Sequence, residues 1–287
     1  MVRSGDTTLV DGVDLRLALG SRTALVGASG AGKSLTCAAL AGTLPAGLEV
    51  SGSLTVEPDD VGSDNGSPTG SPIAPGADSR APSRREDGGE GVNLLNLPAA
   101  RRHRSCRIAL VAQDHSTALH PLIPVGRQIS RASQAAGYTQ GEADVRATDY
   151  LYAVGLDESF ADRVPGRLSG GQRQRISLAL ALAAEPVLMI ADEPTTALDV
   201  VARAEILRLL TSLTSLPEAP ALLLITHDLP AAAICGNVVV LHGGAVIERG
   251  PAAQVLAHPE HPVTVAMCEA AAEETIDGAL AAAGAAA

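Results

Sequence analysis

The stretch Gly27-Ala28-Ser29-Gly30-Ala31-Gly32-Lys33-Ser34 constrains this chain more than any other. It fills every fixed position of the phosphate-loop pattern G-x-x-x-x-G-K-[ST]. The apolar run Thr23-Ala24-Leu25-Val26 precedes it and reads as a buried strand. Leu35 to Ala41 follows it and reads as a helix, ended by Gly42 and Pro45. A glycine-rich turn arising by chance would have neither flank. Glycines let the backbone wrap closely round a polyphosphate with successive N–H groups turned inward. The helix N-terminus adds partial positive charge. In such a loop Gly27, Ser29, Gly30 and Gly32 form the cradle, Lys33 reaches the β- and γ-phosphates, and the Ser34 hydroxyl ligates Mg²⁺.

The composition narrows the setting. A chain of 287 residues that is 46% hydrophobic can build one large domain or two small ones. A net charge of −11 makes it a poor binder of nucleic acid by bulk electrostatics. Cys37, Cys106, Cys235 and Cys268 are widely spaced with no C-x-x-C pair, which suits a reducing compartment and argues against a disulfide framework or a zinc site. No signal peptide is expected. The longest apolar stretch, Ile176 to Ala184, is cut by Glu185-Pro186 and falls short of the roughly 20 residues of a membrane span. A membrane role would therefore act through a partner. The aromatics are Phe160, Tyr138, Tyr150 and Tyr152 alone.

Apolar runs and breakers divide the chain. Leu9 to Leu19 reads as a strand with a turn at Gly20, and Val50 to Val56 as a short strand. Residues 57–91 are rich in Pro, Gly, Ser and Asp and cannot bury a core, so a disordered low-complexity insertion is expected there. Ile108 to Ala112 is a strand ending at Gln113. From Asp114 to about Ala184 the pattern is helical, broken at Pro121, Pro124, Gly137 and Pro165. Val187 to Ala191 is a buried strand, Val200 to Leu213 an amphipathic helix, and Ala221–Ile225 and Asn237–Leu241 are two more strands. Alternating strands and helices imply an α/β fold with a largely parallel sheet.

Two further groups bear on chemistry. Asp192-Glu193 directly follows the Val187 to Ala191 strand. A carboxylate at a strand's C-terminal end can hold Mg²⁺, and its neighbour can take a proton from an attacking water. Asp192 is assigned to the metal and Glu193 to the general base. Leu168-Ser169-Gly170-Gly171-Gln172 then reads as a helix start with Ser169 as N-cap, its hydroxyl and the Gly170 and Gly171 amides turned towards an anion.

In this order the phosphate loop, LSGGQ and Asp192-Glu193 resemble the ATP-binding subunits of ABC transporters, over nearly the whole chain outside 57–91. The resemblance implies a P-loop ATPase core with a mainly parallel sheet, an antiparallel β portion near the N-terminus and an inserted helical subdomain. The core would comprise 1–56 with 92–113 and then 185–269, the helical signature subdomain 114–184, and a flexible Ala-rich tail 270–287. It implies ATP and Mg²⁺ as ligands. Ser169, Gly170, Gly171 and Gln172 would bind the γ-phosphate held by a second ATPase subunit, and Asp199 would cross the dimer. Gln113 would sense Mg²⁺ and face the membrane subunits. His227 would touch the γ-phosphate and orient the water. Two integral-membrane permeases and, indirectly, an extracytoplasmic solute-binding protein would be partners at the cytoplasmic face of the plasma membrane.

Finer matches point to a subfamily. Gln113-Asp114, Ala118 to Pro121, Val125 to Ile129, Asp192 to Val200 and His258 to Thr264 resemble oligopeptide, dipeptide and nickel importer ATPases. Gly32 to Gly47 is particularly like the nickel-importing subunit, although that stretch lies beside nucleotide rather than cargo. The departures concern aromatics. The ring that stacks on adenine falls near Ser4, residues 1–22 contain none, and Ala112 and Val263 replace the usual Phe and Tyr. The N-terminus is expected to be short by part of a strand. The reading is an importer ATPase for peptides or nickel. The alternatives are a soluble ABC-type ATPase in DNA repair or translation, which would show coiled coils, paired cassettes or basic patches, and a weakly hydrolysing regulatory subunit.

Overall fold

Strands that bury both faces need continuous apolar runs, and four of those seen here meet that condition. The computed structural model describes residues 1–56, 93–103, 106–113, 118–196 and 198–285. The insertion expected over 57–91 lies outside the described residues, as do Asp114 and Ala197. The strands are β1 (Val2–Ser4), β2 (Thr7–Val10), β3 (Arg22–Val26), β4 (Glu49–Val50), β5 (Ile108–Val111), β6 (Leu188–Asp192), β7 (Ala221–Thr226), β8 (Asn237–His242) and β9 (Ala245–Pro251). The helices are α1 (Lys33–Ala41), α2 (Val125–Ala136), α3 (Gln140–Ala153), α4 (Gly170–Ala183), α5 (Val200–Leu213), α6 (Leu229–Ala232), α7 (Ala252–Ala257) and α8 (Pro262–Ala285). None among the described residues is long and apolar enough to cross a membrane. The chain forms two compact units, Met1–Ala39 with Leu44–Ser51 and Ile190–Ala287, and Leu40–Thr43 with Gly52–Met189.

In the first unit β3 lies between β7 and β8, parallel to both, with Leu25 opposite Ile225 on one side and Val239 on the other. The end of β6 continues the order beyond β7, and β9 closes the other edge antiparallel to β8. All six residues of β7 are buried, and β3 and β8 bury four each. β9 is partly exposed along its length, as an edge strand can be. A second sheet, antiparallel in the order β2-β1-β4, packs its Val2 and Val10 with Ala39 of α1, joined by Val13, Leu35, Leu44, Leu48 and Val50.

The second unit contains β5 and helices α2 to α4. Gly137, at φ 113°, ends α2 in the left-handed conformation that only glycine adopts cheaply. Thr139 then opens α3 with a capping box to Glu142, and Ser169 opens α4 in the same way with Gln172. Gly126 presses against Ala161, where an added Cβ would stand 2.7 Å from the alanine methyl. Arg146 ties the unit together: it stacks 3.8 Å over the Tyr138 ring and bonds Glu185 at 2.6 Å. All four aromatic residues of the chain belong to this unit.

The apolar strands at β3, β5, β6, β7 and β8 and the helix Val200–Leu213 match the sequence expectations, and three stretches differ. Leu9 to Leu19 is a strand only as far as Val10, because the Asp11 N–H bonds the Gly244 carbonyl at 2.8 Å and the chain leaves the sheet. Val50 to Val56 keeps only Glu49–Val50, before Gly52 turns the backbone at φ 124°. Where a flexible Ala-rich tail is expected from residue 270, the backbone is helical to Ala285, in keeping with the high helix propensity of alanine.

Glu248 of β9 fixes where α8 begins. Its carboxylate accepts the N–H groups of Glu260 at 2.9 Å and His261 at 3.0 Å, just ahead of the helix. Partial desolvation would raise its pKa, but the Thr264 side chain and then these two N–H donors outweigh it and hold the group below its ordinary 4.5. A depressed carboxylate stabilises the fold fully above its unfolded pKa and loses that contribution as pH falls through the folded one. Glu248→Ala is therefore expected to cost about 1 kcal/mol near neutral pH, measurable as a lower denaturation midpoint. The gap from the parent should close on acidification below the ordinary carboxylate range.

Candidate functional site

The phosphate loop is shaped before any ligand interaction is considered. A Cβ at Gly27 would run into the Leu241 carbonyl, and one at Gly32, where φ is 101°, would lie 2.8 Å from the Val10 side chain. These two positions exclude other residues on steric grounds. Gly244 N–H bonds the Ala31 carbonyl at 3.1 Å and seats the loop against the β8–β9 turn. Lys33 is only 8% exposed, and its ammonium donates to the carbonyls of Gly27 at 2.6 Å and Ala28 at 3.1 Å. A buried cation without such acceptors would cost several kcal/mol, so the loop carbonyls hold Lys33 over the cradle. Ser29 and Gly30 form the exposed rim of the turn.

β6 delivers the carboxylates to this loop. Asp192 lies beside the Ser34 side chain, which favours its charged form. Its pKa is raised, first by burial and then by the neighbouring Glu193 charge, against the opposing pull of Lys33 and Ser34. The same surroundings push the Cys37 thiol well above its ordinary value, chiefly through burial and then the Asp192 charge, so it is a poor nucleophile. A desolvated carboxylate paired with a hydroxyl and crowded by a second carboxylate is a hard oxygen donor set that gains from a divalent cation, so Ser34 and Asp192 fit Mg²⁺. Among the described residues no group of three or more His, Cys, Asp or Glu is placed to hold a metal.

Glu193 follows in an uncommon backbone conformation, φ 50°, with its N–H on the Ile225 carbonyl of β7 at 2.9 Å. Its carboxylate accepts the Thr196 hydroxyl at 2.9 Å and stands 2.8 Å from His227 Nδ1. The His227 ring is 66% exposed and the Glu193 side chain 14%. The loop bearing His227 is braced at its base, where Asp228 N–H bonds the Thr226 hydroxyl at 2.9 Å and Asp228 pairs with Arg203 at 3.0 Å.

Lys33, Ser34, Asp192, Glu193 and His227 are thus brought together in the first unit. Asp199 is in that unit too, where its carboxylate caps α5 by accepting Ala202 N–H at 2.9 Å. Gln113, an exposed residue after β5, and Ser169 to Gln172 belong to the second unit. There the Ser169 hydroxyl accepts Gln172 N–H at 3.2 Å, and Gln172 Oε1 accepts Ser169 N–H at 3.0 Å. Helix geometry leaves the Gly170 and Gly171 amides without intrahelical acceptors, and nothing lies within 4 Å of where a Cβ on either would stand. Sequence reasoning missed Thr196, Thr226 and Arg203. Only Thr196 had a signal, a hydroxyl three residues after a carboxylate assigned to chemistry.

The chain is similar to known proteins in sequence and in fold. The ABC transporter family matches residues 10–196. Over 272 residues the chain is 35% identical to the oligopeptide transport ATP-binding protein OppD of Haemophilus influenzae, covering 93% of this chain and 74% of that one. Over 281 residues it is 33% identical to the probable D,D-dipeptide transport ATP-binding protein DdpD of Escherichia coli, covering 95% and 75%. Among solved structures, the dimeric ATP-binding cassette MJ0796 bound to ADP and Pi superposes with a TM-score of 0.63 at 22% identity, over 85% of this chain and 90% of that one, which is a likeness of fold. The structure of cbiO1 from Clostridium perfringens gives 0.61 at 25% identity, over 87% and 84%. With the phosphate loop, the carboxylate pair and the LSGGQ helix start all present, the chain belongs to the ABC transporter family and carries its ATP-binding domain.

Proposed function

We propose that this chain is the ATP-binding and hydrolysing subunit of an importer for peptides, with nickel complexes as the other cargo class its sequence resembles. The observation that carries the reading is the Glu193 carboxylate, held between Thr196 and His227 one residue after Asp192 and in the same unit as the phosphate loop. The kinship with peptide-transport proteins supports it.

In this reading Gly27, Ser29, Gly30, Gly32, Lys33 and Ser34 grip the phosphates, with Lys33 trading its loop carbonyls for phosphate oxygens. Ser34 and Asp192 would hold Mg²⁺, with Gln113 as the further ligand that the family resemblance implies, and the ion would neutralise developing phosphate charge. Glu193 accepts a proton from the attacking water, and His227 holds that water and the γ-phosphate. Ser169 to Gln172 and Asp199 act across a dimer on the partner's nucleotide. Two permeases carry the cycle into the membrane from its cytoplasmic face, contacting the segment from Gln113 to Arg131. Assaying ATPase stimulation in the reconstituted complex with receptor loaded by peptide or by nickel chelate separates the cargo classes.

Two outcomes are expected. Glu193→Gln should retain ATP, accumulate as closed dimer and hydrolyse at least about 10²-fold more slowly; hydrolysis near the parent rate would remove Glu193 as base. The first unit contains no aromatic side chain, and a stacked ring is worth about 0.5–1.5 kcal/mol beyond its area. ATP and GTP should therefore bind with affinities within a few-fold of each other in a nucleotide titration, and strong selectivity for adenine would contradict this.

A further inference from the structure

We propose that Thr196 is a positioning residue for hydrolysis, which holds the Glu193 carboxylate at the angle from which it takes the proton of the attacking water. The proposal rests on the assignment of Glu193 as base. Thr196 Oγ1 donates to Glu193 Oε2 at 2.9 Å, so the hydroxyl's one proton is committed to that carboxylate. The same two residues are joined through the backbone, with Thr196 N–H on the Glu193 carbonyl at 3.2 Å. Donor and acceptor therefore belong to a single tight turn, Glu193-Pro194-Thr195-Thr196. Its two central residues are buried, and its first is held at φ 50° by the bond from its N–H to Ile225.

The two partners of the carboxylate do different work. His227 reaches Glu193 from the end of β7 with a ring that is mostly exposed, at 66%, so that contact can adjust as ligands come and go. Thr196 lies within the turn itself and moves with Glu193. A glutamate has three side-chain torsions, and an acceptor free to rotate spends little time aimed at one water. A charge-assisted bond to one oxygen removes most of that freedom and leaves the other lone pairs to accept a proton. In this role Thr196 acts through Glu193.

The test uses the purified full chain and steady-state hydrolysis of MgATP with separate measurement of nucleotide affinity. Thr196→Val, and Thr196→Ala in case the valine disturbs the turn, should each lower kcat about tenfold, with KM and nucleotide affinity within about twofold of the parent. Thr196→Ser, which restores the donor, should recover most of the rate. Adding Thr196→Val to Glu193→Gln should lower the residual rate no further, because the residue it serves is already gone. The proposal is overturned if the valine and alanine variants keep the parent kcat, if their loss falls on KM, if serine does not rescue, or if the double variant loses a further tenfold. If Glu193→Gln alone hydrolyses normally, the base assignment has failed first, and that result is distinct from an inactive Glu193→Gln with an unaffected Thr196→Val.

Discussion

Two adjacent carboxylates at the end of a buried strand are the arrangement on which the functional part of this fold depends. Asp192 and Glu193 leave β6 together, and Asp192 is both desolvated and exposed to the charge of its neighbour. Like charges in a low-dielectric setting are tolerated only with nearby positive charge and donors. The surrounding structure supplies both: the Lys33 ammonium and Ser34 hydroxyl from the phosphate loop, the Thr196 hydroxyl from the turn, and the His227 ring from β7. Each comes from the C-terminal end of a strand or the turn that follows it, where parallel α/β sheets gather their ligand-binding groups. The parallel pairing of β3 with β7 and β8 is what makes those ends coincide.

The phosphate loop is shaped by backbone more than by side chains. Its carbonyls hold Lys33, and its two least replaceable glycines are set by Leu241 and Val10 rather than by a ligand. The LSGGQ helix start in the other unit follows a different plan. There the N-cap serine and Gln172 satisfy each other's groups, and the two glycines face open space, so their lack of a side chain is not demanded by neighbours within the chain.

Most of this was legible in the residues. Buried strands such as Ala221–Thr226 announce themselves as unbroken apolar runs, because parallel strands are covered on both faces. The Val200–Leu213 helix was legible from its spacing, and the phosphate loop from fixed positions whose flanks agreed. Short strands were not. β1 and β4, of three and two residues, are too brief for a period to show, and they exist because Val2 and Val50 pack over α1. β9 went unread because an edge strand of mixed exposure carries neither alternation nor a continuous apolar run. The left-handed turn at Glu193 was hidden for another reason: non-glycine residues take that conformation only where tertiary bonds impose it, here the bond to Ile225 in a strand over thirty residues away. Thr196 was concealed with it, since its role follows from the turn and not from its residue type.

The confinement of the aromatics to one unit has an optical consequence. With no tryptophan in the chain and Tyr138, Tyr150 and Tyr152 all in the helical unit, intrinsic emission comes from that unit alone. The unit that holds the phosphate loop is dark. Tyrosine fluorescence therefore reads the state of the helices without interference from the loop, and a single tryptophan placed beside β3 would report on the loop against a background of tyrosine only.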